Sequence, residues 1–379
     1  MKALILCLSA PFTHGMLYKE NCFIQAGIEL GDTVTVIAAC EEYKDGKLSK
    51  TAPGVFEMPG YKLIRLERAP ILHPFISDKI RRYKGLEDLI ISESPDLIFC
   101  NGPQFYNVKS FKRIKQALPN CRVVWGFSVH HGNSGRNKLS LNVLHRIIYR
   151  SWLNKSVRYA DKIFVVGYET EKFITEVYKL PKEKIELNDL PGIVISRSDK
   201  EKARSSFREE RNLDSDTVIF MHSGKMNKDK KTEEILSAFS KVNDPRFRLF
   251  IIGALSDDIK SNVMSLIDSD SRVSYVSFVL GKELEKYLAA CDVYVQPGTV
   301  SQTYQNSICS GAAVIAHDCP NNRKLFDGNG WLISEADELE SVFSEISKDV
   351  ERIRKMSDRS LAIAQEKLDY KTLYGKMYI

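Results

Sequence analysis

Short apolar runs alternate with helical stretches along the whole chain, and they do so in two series. The first comprises "KALILCLSA" (2–10), "DTVTVIAAC" (32–40), "PDLIFCNG" (95–102), "CRVVWGFSV" (121–129) and "DKIFVVG" (161–167). Helical patterns over 17–30, 74–93, 106–117, 139–159 and 169–178 separate and follow these runs. The second comprises "DTVIFMHSG" (216–224), "FRLFIIGA" (247–254), "VSYVSFV" (273–279), "CDVYVQPG" (291–298) and "GAAVIAHD" (311–318). Its helical patterns fall at 231–241, 256–267, 282–290 and 302–310, and the tail from 335 is mostly helical. Runs that are apolar at nearly every position are buried on both faces, and such strands joined through helices form parallel, doubly wound α/β sheets. With 379 residues the chain is too long for one core, so the rhythm predicts two Rossmann-like domains, over 1–198 and 199–360. The charged, apolar-poor stretch 195–215 reads as the linker and an entry helix.

Charge is unevenly spread. Residues 1–198 carry 29 Lys/Arg against 20 Asp/Glu, whereas the remainder carries 26 against 29. Residues 101–160 hold eleven Lys/Arg and no acid. An ordinary solvated surface mixes both signs, so this segment suggests an anionic partner. Within it, 140–158 reads as an amphipathic helix with Leu141, Leu144, Ile148 and Trp152 on one face and Arg146, Arg150 and Arg158 on another. Taken alone that pattern describes a core-facing helix with a solvated basic face; joined to the acid-free segment it suits anionic lipid or a lipid-pyrophosphate acceptor, and no recognition motif accompanies the charge to suggest nucleic acid. The eight cysteines form no C-x-x-C pair and mostly lie in apolar runs, which predicts buried thiols in a reducing, cytoplasmic setting. The N-terminal "MKALILCLSAPFTHG" reads as a first buried strand rather than a signal peptide, and no run is long enough to span a bilayer.

Ligands of doubly wound folds bind beyond the C-terminal ends of the strands, in the crevice that two facing domains enclose. Three loops qualify. At Gly224–Lys231 a glycine permits close approach, a helix follows, and Lys225 and Lys230 are placed to converge on a diphosphate. The plain alternative is a solvated basic loop. After "VQPG", Ser301 is positioned to cap a short helix whose start carries Gln302 and Thr303, which makes a second anion-binding corner. After 121–129, "SVHHGNSGRN" brings His130 and His131 into a polar loop.

The order G-K-x-x-x-x-K, "FIIGA", "ELEKYLAACDVYVQPG", a short helix, "SGAAVIA" and "DGNGWLI" resembles the C-terminal domain of GT-B glycosyltransferases, most closely the large retaining family numbered four. "HGMLYKENCFIQAGIELGDTVTVIA" (14–38) resembles that family's glycine-containing loop and first helix, with Asp32 where histidine is usual. The resemblance implies that Gly224, Lys225 and Lys230 hold the donor diphosphate and that Val279 and Leu280 hold the base through their backbone. It places Ser301, Gln302 and Thr303 at the phosphates, Gly15 opposite the diphosphate, and His130 or His131 near the transferred sugar. It also implies that 361–379 returns to the first domain. The family's E-x7-E is absent: Asn306 and Gly298 occupy those positions, leaving Asn306 or Gln305 to meet a ribose hydroxyl.

The expected activity is transfer of a sugar from a nucleotide sugar, with UDP as the carrier, to a glycan or lipid-linked acceptor in surface polysaccharide or glycolipid synthesis. The resemblance implies retention of configuration. No cofactor or metal is expected, because no D-x-D site falls in place and the lysines answer the leaving-group charge. The expected location is the cytoplasm, including the inner face of the plasma membrane. Two alternatives stand: a GT-B nucleotide-sugar epimerase, and a non-catalytic GT-B partner of another glycosyltransferase.

Overall fold

The computed structural model describes every residue except Asp45, Leu72, His73 and Val300, and only the backbone at Pro74 and Phe75. The chain divides into two compact units: 1–14, 20–189 and 371–379 form the first, and 15–19 with 190–370 form the second. The boundaries expected at 198 and 360 therefore fall at 189 and 370. The reason is local pairing: Gly192 N donates to the Leu368 carbonyl (2.9 Å) and Tyr370 N to the Gly192 carbonyl (3.2 Å), which ties both segments to the second unit.

In the first unit the strands are β1 (Lys2–Cys7), β2 (Thr33–Ala39), β3 (Glu41–Lys44), β4 (Lys47–Lys50), β5 (Gly54–Met58), β6 (Tyr61–Leu66), β7 (Leu97–Asn101), β8 (Arg122–Phe127), β9 (Lys162–Val165) and β10 (Ile185–Leu187). The main sheet has the order β10-β9-β8-β7-β1-β2-β6-β5, and only β5 runs antiparallel to its neighbour. The sequence reading found β1, β2, β7, β8 and β9 but not β5, β6 or β10. β6 escaped it because its alternation is broken by Arg65, which is nonetheless buried. That guanidinium donates to the carbonyls of Ala39 (3.0 Å) and Phe12 (3.1 Å) and pairs with Glu42 (2.8 Å), so its burial is compensated.

The second unit holds β11 (Val218–Ser223), β12 (Phe247–Ile252), β13 (Val273–Val276), β14 (Val293–Gln296), β15 (Ala313–His317) and β16 (Gly330–Ile333), all parallel, in the order β13-β12-β11-β14-β15-β16. Counted within the unit this is 3-2-1-4-5-6, the dinucleotide-fold order. The strands are buried on both faces. Phe220, Leu249, Ile251 and Ile315 belong to the core on one side, and Ile219, Met221, Phe250 and Val314 to the core on the other. All eight cysteines are free, six of them buried.

Two charged positions organise these units. The entry helix expected within 195–215 spans Arg197–Glu210 and is pinned into the second sheet. Lys200 is buried and donates to the carbonyls of Cys291 (2.8 Å) and Ser310 (2.9 Å). Arg208 and Arg204 both reach Asp292 at 2.7 Å, and Asp292 also accepts from Ile219 N at 2.9 Å. In the first unit Asp32 accepts from the N-terminal ammonium (2.8 Å), Tyr374 Oη (2.8 Å) and Tyr378 Oη (2.5 Å). Asp32, the departure from the family pattern, thus anchors the last nine residues. Burial opposes its charge, but the ammonium and the two hydroxyls outweigh that and hold its carboxyl below the ordinary value.

Asp292→Ala leaves Arg208 buried without its counter-charge and should cost about 3–5 kcal/mol in denaturant unfolding. Asp32→Ala removes charged hydrogen bonds worth about 1.5–3 kcal/mol each and lowers Tm by several degrees at pH 7. A carboxyl whose folded pKa is depressed stabilises the fold above its unfolded pKa and loses that contribution as pH falls through the folded value. The gap in Tm between wild type and Asp32→Ala should therefore close progressively below about pH 4.

Candidate functional site

The sheet order of the second unit reverses between β11 and β14, and crevices open at such points beyond the strand ends. Two close backbone contacts shape the loops there. A Cβ on Gly253 would lie 2.0 Å from the Gly224 carbonyl oxygen, and one on Gly298 would lie 2.1 Å from that of Asp229. No other residue fits at either position. Gly224 N donates to the Ile252 carbonyl (2.9 Å) and Thr299 N to the Asp229 carbonyl (3.1 Å), so the loops after β11, β12 and β14 form one platform.

A chain of polar contacts runs across it. Tyr294, buried in β14, links Ser223 Oγ (3.0 Å) to Thr303 Oγ1 (3.0 Å). Thr303 meets Ser301 Oγ (2.8 Å), and Ser301 donates to Gln296 Oε1 (2.9 Å). Gln296 Nε2 donates to the Thr299 carbonyl, which also accepts from Lys230 Nζ at 2.7 Å. Lys230 is 9 % exposed, and burial pulls its ammonium down to about 8 against the raising influence of Asp229. His222 fixes the frame beneath. Its Nδ1 meets the Val295 carbonyl (2.8 Å) and is therefore the protonated nitrogen, while Nε2 accepts from Thr232 Oγ1 (3.1 Å) at the start of the next helix. Burial lowers this imidazole to about 4, so it is neutral at pH 7.

Ser301 stands at the N-cap position of the helix Gln302–Cys309, but its hydroxyl is used on Gln296 and Thr303 and no described side chain caps that helix. This corrects its expected capping role. The uncapped first turn keeps the partial positive charge of a helix N-terminus. Gln302 Nε2 bonds the Pro191 carbonyl (2.9 Å), and Asn306 Nδ2 bonds the Leu17 carbonyl (3.1 Å). Gly15 lies in the left-handed region (φ 76°), and its carbonyl oxygen stands 2.0 Å from where a Cβ on Gly281 would sit. Leu280, 57 % exposed, precedes the helix Gly281–Ala290, and Val279 packs partly buried against the core. Lys225 is exposed and has no ion-pair partner among the described residues.

Gly15, Gly224, Lys225, Lys230, Val279, Leu280, Ser301–Thr303 and Asn306 thus all belong to the second unit, whereas His130 and His131 belong to the first. His130 Nδ1 accepts from Gly132 N (3.2 Å) and lies 3.6 Å from Glu169; burial lowers its pKa. His131 packs edge-on against Phe173, 4.9 Å between ring centroids. Sequence reasoning missed Tyr294, Gln296 and Thr299. Their signal was present in "VYVQPGT", a buried strand with polar residues at its end.

Residues 217–349 match the family model for glycosyl transferases group 1. No curated protein matches the sequence. Among solved structures, sucrose-phosphate synthase from Thermosynechococcus elongatus superposes with a TM-score of 0.73 at 14% identity, over 100% of this chain and 97% of that one. HepE from Anabaena, in complex with UDP and glucose, gives 0.64 at 16%, over 100% and 98%. WaaG, a glycosyltransferase involved in lipopolysaccharide biosynthesis, gives 0.64 at 14%, over 99% and 98%. At such identities the likeness to these structures is one of fold, the GT-B fold of two α/β units, and the match to glycosyl transferases group 1 lies within the second unit, over 217–349.

Proposed function

We propose that the chain transfers a sugar from a UDP-sugar to a glycan or lipid-linked acceptor, with retention, in the synthesis of surface polysaccharide or glycolipid at the cytoplasmic face of the membrane. The observation that carries this reading is the platform beyond β11 and β14, where Lys230 and the uncapped helix Gln302–Cys309 share one polar chain. The UDP and UDP-glucose complexes of HepE support the choice of nucleotide. Breaking the sugar–phosphate bond moves negative charge onto the diphosphate. Lys225, Lys230 and the helix terminus answer it, with no metal ion assigned, and such preorganised charge is commonly the largest catalytic contribution. Gly15 and Gly224 let backbone approach the phosphates, and Val279 and Leu280 take the base. His130, held neutral, is assigned to the sugar end, with His131 beside it. A second reading, a non-catalytic partner, is favoured by Asn306, which stands at a family glutamate position and is used on Leu17. Turnover of UDP-sugars by the purified chain separates the two.

The helix after His131 supports the membrane assignment. Leu139, Val143 and Ile147, four apart, are 72, 41 and 62 % exposed, and Arg146 and Arg150 are exposed beside them. Apolar anchors within a basic face suit anionic lipid. No described helix is long and apolar enough to cross a membrane.

Lys230→Ala should weaken UDP binding by about 1.5–3 kcal/mol in calorimetry. UDP favours the ammonium form, so wild-type affinity should fall as pH rises through about 8, and that fall should be absent in the variant. Unchanged affinity would refute the assignment. Replacing Leu139, Val143 and Ile147 together by serine should abolish sedimentation with vesicles rich in anionic lipid while leaving UDP affinity intact.

A further inference from the structure

The first sheet also reverses its order, between β1 and β7, and there the chain forms a cavity of about 390 Å3 lined by Ser9 after β1, Asn101 and Gly102 at the end of β7, and Ser128 after β8. Its size suits one sugar-sized ligand. Its charge is one-sided: Lys79, Arg81 and Arg136 line it, and among the described residues no Asp or Glu does.

Arg81 is the informative residue. It ends the helix Pro74–Ile80 in the left-handed conformation (φ 51°), a place where glycine is usual and an arginine is strained. Its backbone is held at both ends, by Arg81 N to the Ser77 carbonyl (2.9 Å) and by Tyr106 N to the Arg81 carbonyl (3.2 Å). Nη1 reaches the Gln104 carbonyl (3.2 Å), but Nε is buried with no hydrogen-bond partner among the described residues. An unpaired donor buried there is costly, and the same side chain lines the cavity. His145, in the same cavity, senses the local potential: burial lowers its pKa to about 4, and Arg81 and Lys79 act in the same direction. Its Nδ1 is engaged with Tyr178 Oη at 2.7 Å, so it supplies no charge of its own.

A neutral sugar is commonly held through carboxylates that accept from its hydroxyls, and this cavity has none. We propose that it binds a phosphoryl group carried by the acceptor, with Arg81, Lys79 and Arg136 as its counter-charges. Arginine forks match phosphate oxygens in pairs, and the surrounding amides and hydroxyls donate to the remainder. This rests on the reading of the chain as a sugar-transferring enzyme, and it narrows the acceptor to a phosphorylated class. Two sources share that chemistry: a soluble sugar phosphate and a polyisoprenyl-phosphate lipid.

Calorimetry on the full chain, with UDP binding measured in parallel, tests it. Glucose 6-phosphate, or polyisoprenyl phosphate in neutral detergent micelles, should bind at least about tenfold more tightly than glucose or than micelles alone; the stronger arm names the source. Arg81→Gln, and independently Arg136→Gln on the exposed loop, should each weaken that binding about tenfold or more and leave UDP affinity unchanged. Should Arg81→Gln fail to fold, Arg136→Gln and Lys79→Gln carry the test. Equal affinity for glucose and both phosphates, or phosphate affinity indifferent to all three substitutions, overturns the proposal. Phosphate binding without UDP binding would leave this site standing and sink the donor assignment.

Discussion

Backbone resting directly on backbone is the constraint on which the second unit's site depends. Gly253 against Gly224 and Gly298 against Asp229 leave no space for a single methyl group. Because those contacts close, the loops after β11, β12 and β14 become one surface rather than three independent turns. The polar chain from Ser223 to Lys230 then has fixed ends. An alanine at Gly298 would push Asp229 away from Thr299 and part Lys230 from the carbonyl it holds. Geometry that serves an anion is therefore set by residues that carry no functional group at all.

The energetic logic of that chain follows from burial. Each hydroxyl or amide withdrawn from water has to find a partner, and a fully satisfied network is rigid. Tyr294, Thr303, Ser301 and Gln296 satisfy one another in sequence. Lys230 is the charged member, and its ammonium donates to the Thr299 carbonyl. A diphosphate offers that ammonium a full negative charge in place of a dipole. The first unit shows a different solution at its own strand-order reversal. There, among the described residues, the cations gather without acids, and one guanidinium nitrogen has no hydrogen-bond partner.

Much of the architecture was legible because strands buried on both faces write long apolar runs. "VIFMHS", "FRLFII" and "VYVQ" appear in the sequence as they lie in the sheet. The sheet's edges were less legible. β5 and β10 carry mixed or exposed residues, and Arg65 hides β6. The sequence of 140–158 reads as one amphipathic helix. The structure winds Ser140–Tyr149 with i to i+5 bonds, a π-helix, before returning to α over Arg150–Ser156. A 3.6-residue reading found its inward side, Leu141, Leu144 and Ile148. It missed the outward stripe Leu139, Val143 and Ile147, and it missed His145, which the wider turn brings against Tyr178. Gly224, Lys225 and Lys230 stood out as a basic loop between strand and helix, and a family pattern added Gly15, Val279 and Leu280. Their contacts came only from folding, since the residues that bond Lys230 and Asn306 are backbone carbonyls that no sequence pattern marks.

The order in which a ribosome releases the chain gives the Asp32 cluster a further meaning. Residues 15–19 emerge early and wait for a unit made much later, whereas Tyr374 and Tyr378, which close on Asp32, emerge after the whole of that unit. Neither unit can reach its final form from a contiguous nascent stretch. Without Tyr374 and Tyr378, Asp32 would lose two of its three named donors and keep the Met1 ammonium.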